Sequence, residues 1–141
     1  MKRLRVMIVS HPGTWQRVLQ KNLEADPFVK EVEAVSGSLS ASQLVREHHH
    51  DLILIDSSIP FDDAIALVHN VKQENPNTRS VVITDTSQQR RRVIRAGADY
   101  TISSFNYEAQ IGEILKQMKE SLSDKASKTE RTIETNPRPS K

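Results

Sequence analysis

The sequence predicts an α/β domain, a doubly wound parallel sheet built from five strand–helix units, (βα)5. Three observations predict it. Along residues 4–122 the apolar pattern switches repeatedly between strand and helix periods. Two strand segments, Leu52–Ile55 and Val81–Ile83, are wholly aliphatic, as strands buried on both faces of a parallel sheet are. The chain has 141 residues, 36% of them hydrophobic, which suits one core. Right-handed crossovers limit such an alternation to a few strand orders.

Each element has its own reason. Leu4–Val9 is a short apolar strand. Over 14–25, Trp15, Val18, Leu19 and Leu23 share one helical face, with Thr14 as the predicted N-cap. Val29–Val35 alternates, with its register open. Ala41, Leu44, Val45 and His48 form the next helical stripe. Leu52–Ile55 follows as a strand, and Ala64, Leu67, Val68 and Val71 mark a helix over 62–74. Val81–Ile83 leads to a helix over 87–96, ended by Gly97. Ala98–Ile102 is a weak last strand. Ile111, Ile114, Leu115, Met118 and Leu122 line a helix over 107–122. Residues 123–141 are rich in Ser, Thr, Lys, Glu and Pro, with Ile133 the one large apolar residue. They cannot offset chain entropy by burial, so a domain of 1–122 with a disordered tail or linker is expected.

Composition excludes several classes. With no cysteine there is no disulfide framework, no thiolate metal site and no Cys nucleophile. No apolar run approaches the ~20 residues of a membrane span. The start, Met1-Lys2-Arg3, leads into too short an apolar run for a secretory leader, so a cytoplasmic location is expected. Residues 1–120 hold 15 basic and 15 acidic side chains, so the net charge of +2 comes from the tail. Nucleic acid is therefore not an expected partner of the domain alone. No phosphate-binding glycine loop and no nucleophile elbow occur, and no enzyme is expected.

In a doubly wound sheet function collects at the carboxyl ends of the strands. Those ends supply Ser10 and His11; Ser36, Gly37 and Ser38; Asp56, Ser57 and Ser58; Thr84, Asp85 and Thr86; and Ser103 and Ser104. Asp56 is the sharpest. It ends four large aliphatics and so leaves a buried strand straight into the crevice, where a carboxylate serves as nucleophile, metal ligand or cap.

Asp51-Leu-Ile-Leu-Ile-Asp56-Ser-Ser-Ile-Pro60 resembles the phosphoacceptor segment of bacterial response-regulator receiver domains, chemotaxis regulators among them. Val6–Val9 is similar to the first strand of that family, Val81-Val82-Ile83-Thr84 to the fourth with its signalling hydroxyl, and Arg95-Ala96-Gly97-Ala98-Asp99-Tyr100 to the turn into the fifth. The resemblance runs over about residues 3–120 with every element in order. It implies a flavodoxin-like fold with strand order 2-1-3-4-5. It also implies phosphorylation of Asp56 by a histidine kinase or a small phosphodonor, Thr84 as switch partner, and Tyr100, or Thr101, as the aromatic switch position. Mg²⁺ would be held by an acidic pair after the first strand, by Asp56 and by the Ser58 carbonyl, with a lysine after the fifth strand. Output would be by protein contact, with a homodimer through the fourth and fifth helices as one form.

The chain departs from that pattern. The acidic pair falls on Ser10 and His11, which are poor ligands for a hard cation. The lysine falls on Ser104, or Ser103, and no lysine lies between Lys72 and Lys116. The proline after it is Phe105, the small residue after Thr84 is Asp85, and 84–97 is about two residues short. Since positioning and charge neutralisation carry phosphoryl transfer, weak Mg²⁺ binding and inefficient phosphorylation of Asp56 are expected. Two other readings stand beside an atypical receiver: a phosphorylation-independent pseudo-receiver scaffold, and a small-molecule-binding flavodoxin-like domain.

Three further features complete the reading. Arg90, Arg91, Arg92 and Arg95 lie on one helix without a compensating acid, a face suited to an acidic protein surface. His48, His49 and His50 point in different directions and form no metal cage. Asp62 and Asp63 are expected to cap the third helix.

Overall fold

The computed structural model describes residues 3–134, with side chains over 3–121. In chain order the elements are β1 (Leu4–Val9), α1 (Thr14–Glu24), β2 (Val29–Val35), α2 (Ser38–Glu47), β3 (Leu52–Ile55), α3 (Phe61–Glu74), β4 (Arg79–Thr84), α4 (Ser87–Ala96), β5 (Tyr100–Ser103) and α5 (Tyr107–Glu134). All five strands are parallel, in the order β2-β1-β3-β4-β5. This is the flavodoxin-like order expected.

Burial explains the aliphatic strands. Met7, Val9, Ile53, Ile55 and Val82 point into a core shared with Ala41 and Val45 of α2, Leu67, Val68 and Val71 of α3, and Val93 of α4. Their neighbours Val6, Ile8, Leu54 and Val81 are buried on the opposite face. β2 is an edge strand, with Val29 and Val35 buried and Lys30, Glu31 and Ala34 exposed. The chain falls into two units, one up to Tyr107 holding the sheet and α1–α4, the other from Glu108 holding α5. On α5, Ile111, Ile114, Leu115 and Met118 are buried at helical spacing, as predicted. The side chain of Leu122 lies outside the described residues.

Several local expectations are corrected. Gly13, in extended backbone, precedes α1 without a side-chain cap; Thr14 is already the first helical residue and accepts a long hydrogen bond from Arg17. Val18 is exposed. His48 is not on the buried stripe of α2: the chain has turned extended there, at φ −126°, and its ring is exposed. Asp62 and Asp63 do not cap α3, because the preceding residue is Pro60; they sit in its first turn, where carboxylates suit the helix dipole. β5 starts at Tyr100, since Ala98 and Asp99 are held in the turn by bonds to the Val93 and Ser80 carbonyls. Gly97 ends α4 at φ +119°, a conformation that glycine alone adopts cheaply.

Helix α5 is traced to Glu134, past the expected end at 122. Residues 123–134 hold no proline or glycine, and Ala126, Lys125, Lys128 and Glu130 are good helix formers. A helix already nucleated propagates without a new nucleus, whereas the composition argument weighed burial alone. The remainder of the expected tail lies outside the described residues.

Candidate functional site

Parallel pairing delivers the polar strand ends to one crevice. The Asp56 N–H extends the β1–β3 ladder by donating to the Val9 carbonyl at 3.0 Å, so the start of the β3–α3 turn is fixed by the sheet. Within that turn the Ser58 N–H donates to Asp56 Oδ2 at 3.1 Å, and the Ile59 N–H to the Asp56 carbonyl at 3.1 Å. Asp56 is half-buried, and among the described residues its other carboxylate oxygen has no hydrogen bond. Asp56, Asp85, Gln89, Pro60 and Phe61 line a hollow of about 160 Å³.

One strand over, Thr84 closes β4. It is 1% exposed, and its hydroxyl has no hydrogen-bond partner. Removing a hydroxyl from water without a partner is costly, so this hydroxyl is left unsatisfied in the fold. The Asp85 N–H donates to Gln89 Oε1 at 2.9 Å, and the Gln89 N–H to Thr86 Oγ1 at 3.1 Å, which caps α4. Asp85 is exposed at the mouth of the hollow.

The loop after β1 is closed by its own hydrogen bonds. Ser10 is fully buried, and its N–H donates to the Val35 carbonyl. Gln16 Nε2 donates to both the carbonyl and the hydroxyl of Ser10, each at 3.1 Å. The Ser10 hydroxyl donates to the His11 carbonyl at 3.2 Å, and the His11 N–H donates to Ser58 Oγ at 3.0 Å. The His11 side chain is exposed. These residues do not fit the Mg²⁺ that the resemblance implies. Carboxylates are needed at Ser10 and His11; in their place stand a hydroxyl already engaged and an exposed imidazole. Among the described residues no group of three or more His, Cys, Asp or Glu is arranged to hold a metal ion.

The fifth strand end brings no cation. Ser103 stands opposite Thr84 in register and donates to the Phe105 carbonyl at 2.9 Å, while Ser104 and Phe105 are exposed. Lys72, the last lysine before it in sequence, lies 3.5 Å from Asp99. Tyr100 pairs with Val81, three residues before the Thr84 level, so about 10 Å along the strand. Its hydroxyl accepts from Arg79 at 2.8 Å, and the structure does not bring it to Thr84.

The arginines of α4 divide. Arg90, Arg91 and Arg95 surround exposed Ile94 and line an open hollow of about 450 Å³. Arg92 turns away, 5.0 Å above the Phe61 ring and 3.8 Å from Asp62, so it does have a compensating acid, supplied by a different helix. The histidine run also divides. His50 is buried, with Nε2 at 2.8 Å from Glu33 Oε1; His48 lies 3.5 Å from the same oxygen; His49 lies 3.2 Å from Asp51. Burial pushes the Glu33 carboxyl up, but hydrogen bonds and charge from His50 and His48 outweigh this and leave it below the usual carboxylate value.

Sequence reasoning missed Gln16 and Gln89. The Thr86-x-x-Gln89 spacing is a capping signature and could have exposed the second. For Gln16 no spacing signal exists, since its bond to Ser10 depends on how the loop folds back. Trp15, beside it, packs against Tyr107 in a tilted pair with ring centroids 5.3 Å apart. Among the described residues no helix is long and apolar enough to cross a membrane.

Residues 6–119 match the family model described as response regulator receiver domain. Among curated proteins the chain is 30% identical over 81 residues to a protein-glutamate methylesterase/protein-glutamine glutaminase of Anaeromyxobacter dehalogenans, spanning 57% of this chain and 23% of that protein. It is 26% identical over 117 residues to the chemotaxis protein CheY of Bacillus subtilis, spanning 81% of this chain and 97% of that protein. The chain spans less than half the length of the first curated relatives it matches. Among solved structures, the receiver domain of a Pseudomonas aeruginosa sensor histidine kinase, with magnesium coordinated in its active-site cleft, superposes with a TM-score of 0.69 at 18% identity. That match covers 82% of this chain and 96% of the other.

Proposed function

Because the chain belongs to the response regulator receiver domain family of two-component signalling, we propose that it is an atypical receiver, a signalling module with Asp56 as phosphoacceptor and Thr84 as switch. One observation carries the proposal: a carboxylate with one free oxygen stands at the end of β3, and at the end of the next strand stands a buried hydroxyl with no partner. Asp56 Oδ2 is held by the Ser58 N–H, which leaves Oδ1 to attack phosphorus. As the new O–P bond forms, the donor's bond to phosphorus breaks and the donor leaves as imidazole or carboxylate. A phosphoryl oxygen then gives the Thr84 hydroxyl the acceptor it lacks, a bond present in the modified state alone. Since Ser104 stands where a lysine would neutralise the phosphoryl charge, transfer is slow.

Output is through α4. Arg90, Arg91 and Arg95 around Ile94 suit an acidic protein surface with an apolar anchor, such as a kinase or another signalling protein. A twofold pairing of two copies on this face would set arginine against arginine, which disfavours the homodimer there. The second reading, a pseudo-receiver that never takes a phosphoryl group, is favoured by Ser10 and His11 in place of the acidic pair. The small-molecule reading gains no support from a hollow of about 160 Å³ beside Asp56, below the ~300 Å³ at which ligand pockets usually begin.

Intact-mass analysis after incubation with acetyl phosphate, with and without Mg²⁺, tests the proposal. A slowly formed adduct that Asp56→Ala abolishes is the expected result. A folded protein with no adduct would transfer the assignment to the pseudo-receiver.

A further inference from the structure

We infer that this crevice works without a divalent cation, and that Gln16 is the positioning residue that takes over the cation's organising role. The inference rests on the reading of Asp56 as the family's acceptor position and deepens it. A bound Mg²⁺ would tie the end of β1 to the β3–α3 turn. In this chain hydrogen bonds make that tie. Gln16 Nε2 grips both oxygens of Ser10, the Ser10 hydroxyl grips the His11 carbonyl, the His11 N–H grips Ser58 Oγ, and the Ser58 N–H grips Asp56 Oδ2.

The circuit is closed in the direction that matters. Gln16 Nε2 spends both of its protons on Ser10. The Ser10 hydroxyl accepts one bond and donates another, and it is fully buried. A cation entering between Ser10 and Asp56 would have to break these bonds and would gain one carboxylate. A hard cation that gives up water reluctantly does not make that exchange for a hydroxyl and an imidazole. Gln16 stands on the first turns of α1, so the helix itself carries the amide to Ser10.

The test is a Mg²⁺ titration of the full-length chain followed by the backbone amide resonances of Asp56 and Ser58. No saturable shift is expected in the parent. Gln16→Ala should move the Ser10, His11 and Ser58 amide resonances together while still showing no response to Mg²⁺, a pattern that general loss of stability would not give. Ser10→Asp/His11→Asp, which restores the carboxylates, should gain a saturable shift; if that pair does not fold, His11→Asp, at an exposed position, is read instead. A saturable shift in the parent that Asp56→Asn removes would overturn the inference. So would a Gln16→Ala spectrum unchanged outside residue 16. Either failure would leave Asp56 as acceptor, because that reading stands or falls by the phosphoryl adduct.

Discussion

The two ends of the sheet treat their buried polar groups differently. At the amino end they are spent on structure. Asp51 Oδ2 accepts from the Arg5 N–H at 2.9 Å and Thr78 donates to the His50 carbonyl at 2.6 Å, while the N–H of buried Ser80 donates to Oδ2 of exposed Asp99 at 2.9 Å. At the carboxyl end the Thr84 hydroxyl is buried with nothing to bond, and one oxygen of Asp56 carries no hydrogen bond. Each end has its exception: His50 Nδ1 at the amino end is unpaired while its other nitrogen holds Glu33, and at the carboxyl end the buried Ser10 hydroxyl both accepts and donates. Similar residue types, Asp and Thr, therefore use their bonding capacity differently at the two ends. What differs is whether the bonding capacity is used up in the resting state.

Mutations can break this comparison. Asp51→Ala should cost about 2 kcal/mol in urea unfolding, because the Arg5 N–H loses its partner at a buried carboxylate, while Asp56→Ala should cost less, about 0.5 kcal/mol, through its single bond from the half-buried Ser58 N–H. Equal losses at both positions would erase the contrast. Glu33→Gln should cost about 1.5 kcal/mol near neutral pH through the weakened bond to buried His50. The sign of its pH dependence follows from the lowered carboxyl. The contribution is present above the ordinary carboxylate range and is lost as pH falls through the lowered folded-state value. The gap between parent and variant should therefore close in acid. Thr78→Val should cost about 1 kcal/mol, the worth of one buried hydrogen bond. Thr84→Val, the same change at the other end, should cost nothing, or stabilise by about 0.5 kcal/mol, since no bond is lost. A clear loss on Thr84→Val would mean that its hydroxyl is already engaged.

Much of this was legible in the sequence, and for identifiable reasons. Leu52–Ile55 and Ser87–Ala96 fall where periodicity and Gly97 place them, because those signals are local. Asp56 was legible because a carboxylate directly after four buried aliphatics has one place to go. Gln16 was not, since its partner lies six residues back across a turn whose path depends on Val35 and Ser58. Arg92 was misplaced among the open arginines because its partners, Phe61 and Asp62, come from a different helix. His50 stands in sequence as one of three histidines pointing in different directions, because nothing local shows that Glu33 of β2 will meet it. Local pattern reports periodicity and caps; contacts between distant segments wait for the fold.

The edge strand β2 carries Glu33 turned inward, clasped by two imidazoles. A charge pointing in from an edge is a guard against edge-to-edge pairing with a neighbouring molecule. Here the guard is acid-labile: once the carboxyl is protonated the clasp weakens, and exposed Lys30 remains as a charge on the rim. In acid the clasp should therefore give way before the edge does, and the protein should stay dispersed. Light scattering against pH, beside circular dichroism, checks this: self-association that precedes unfolding would show that Lys30 alone does not guard the edge.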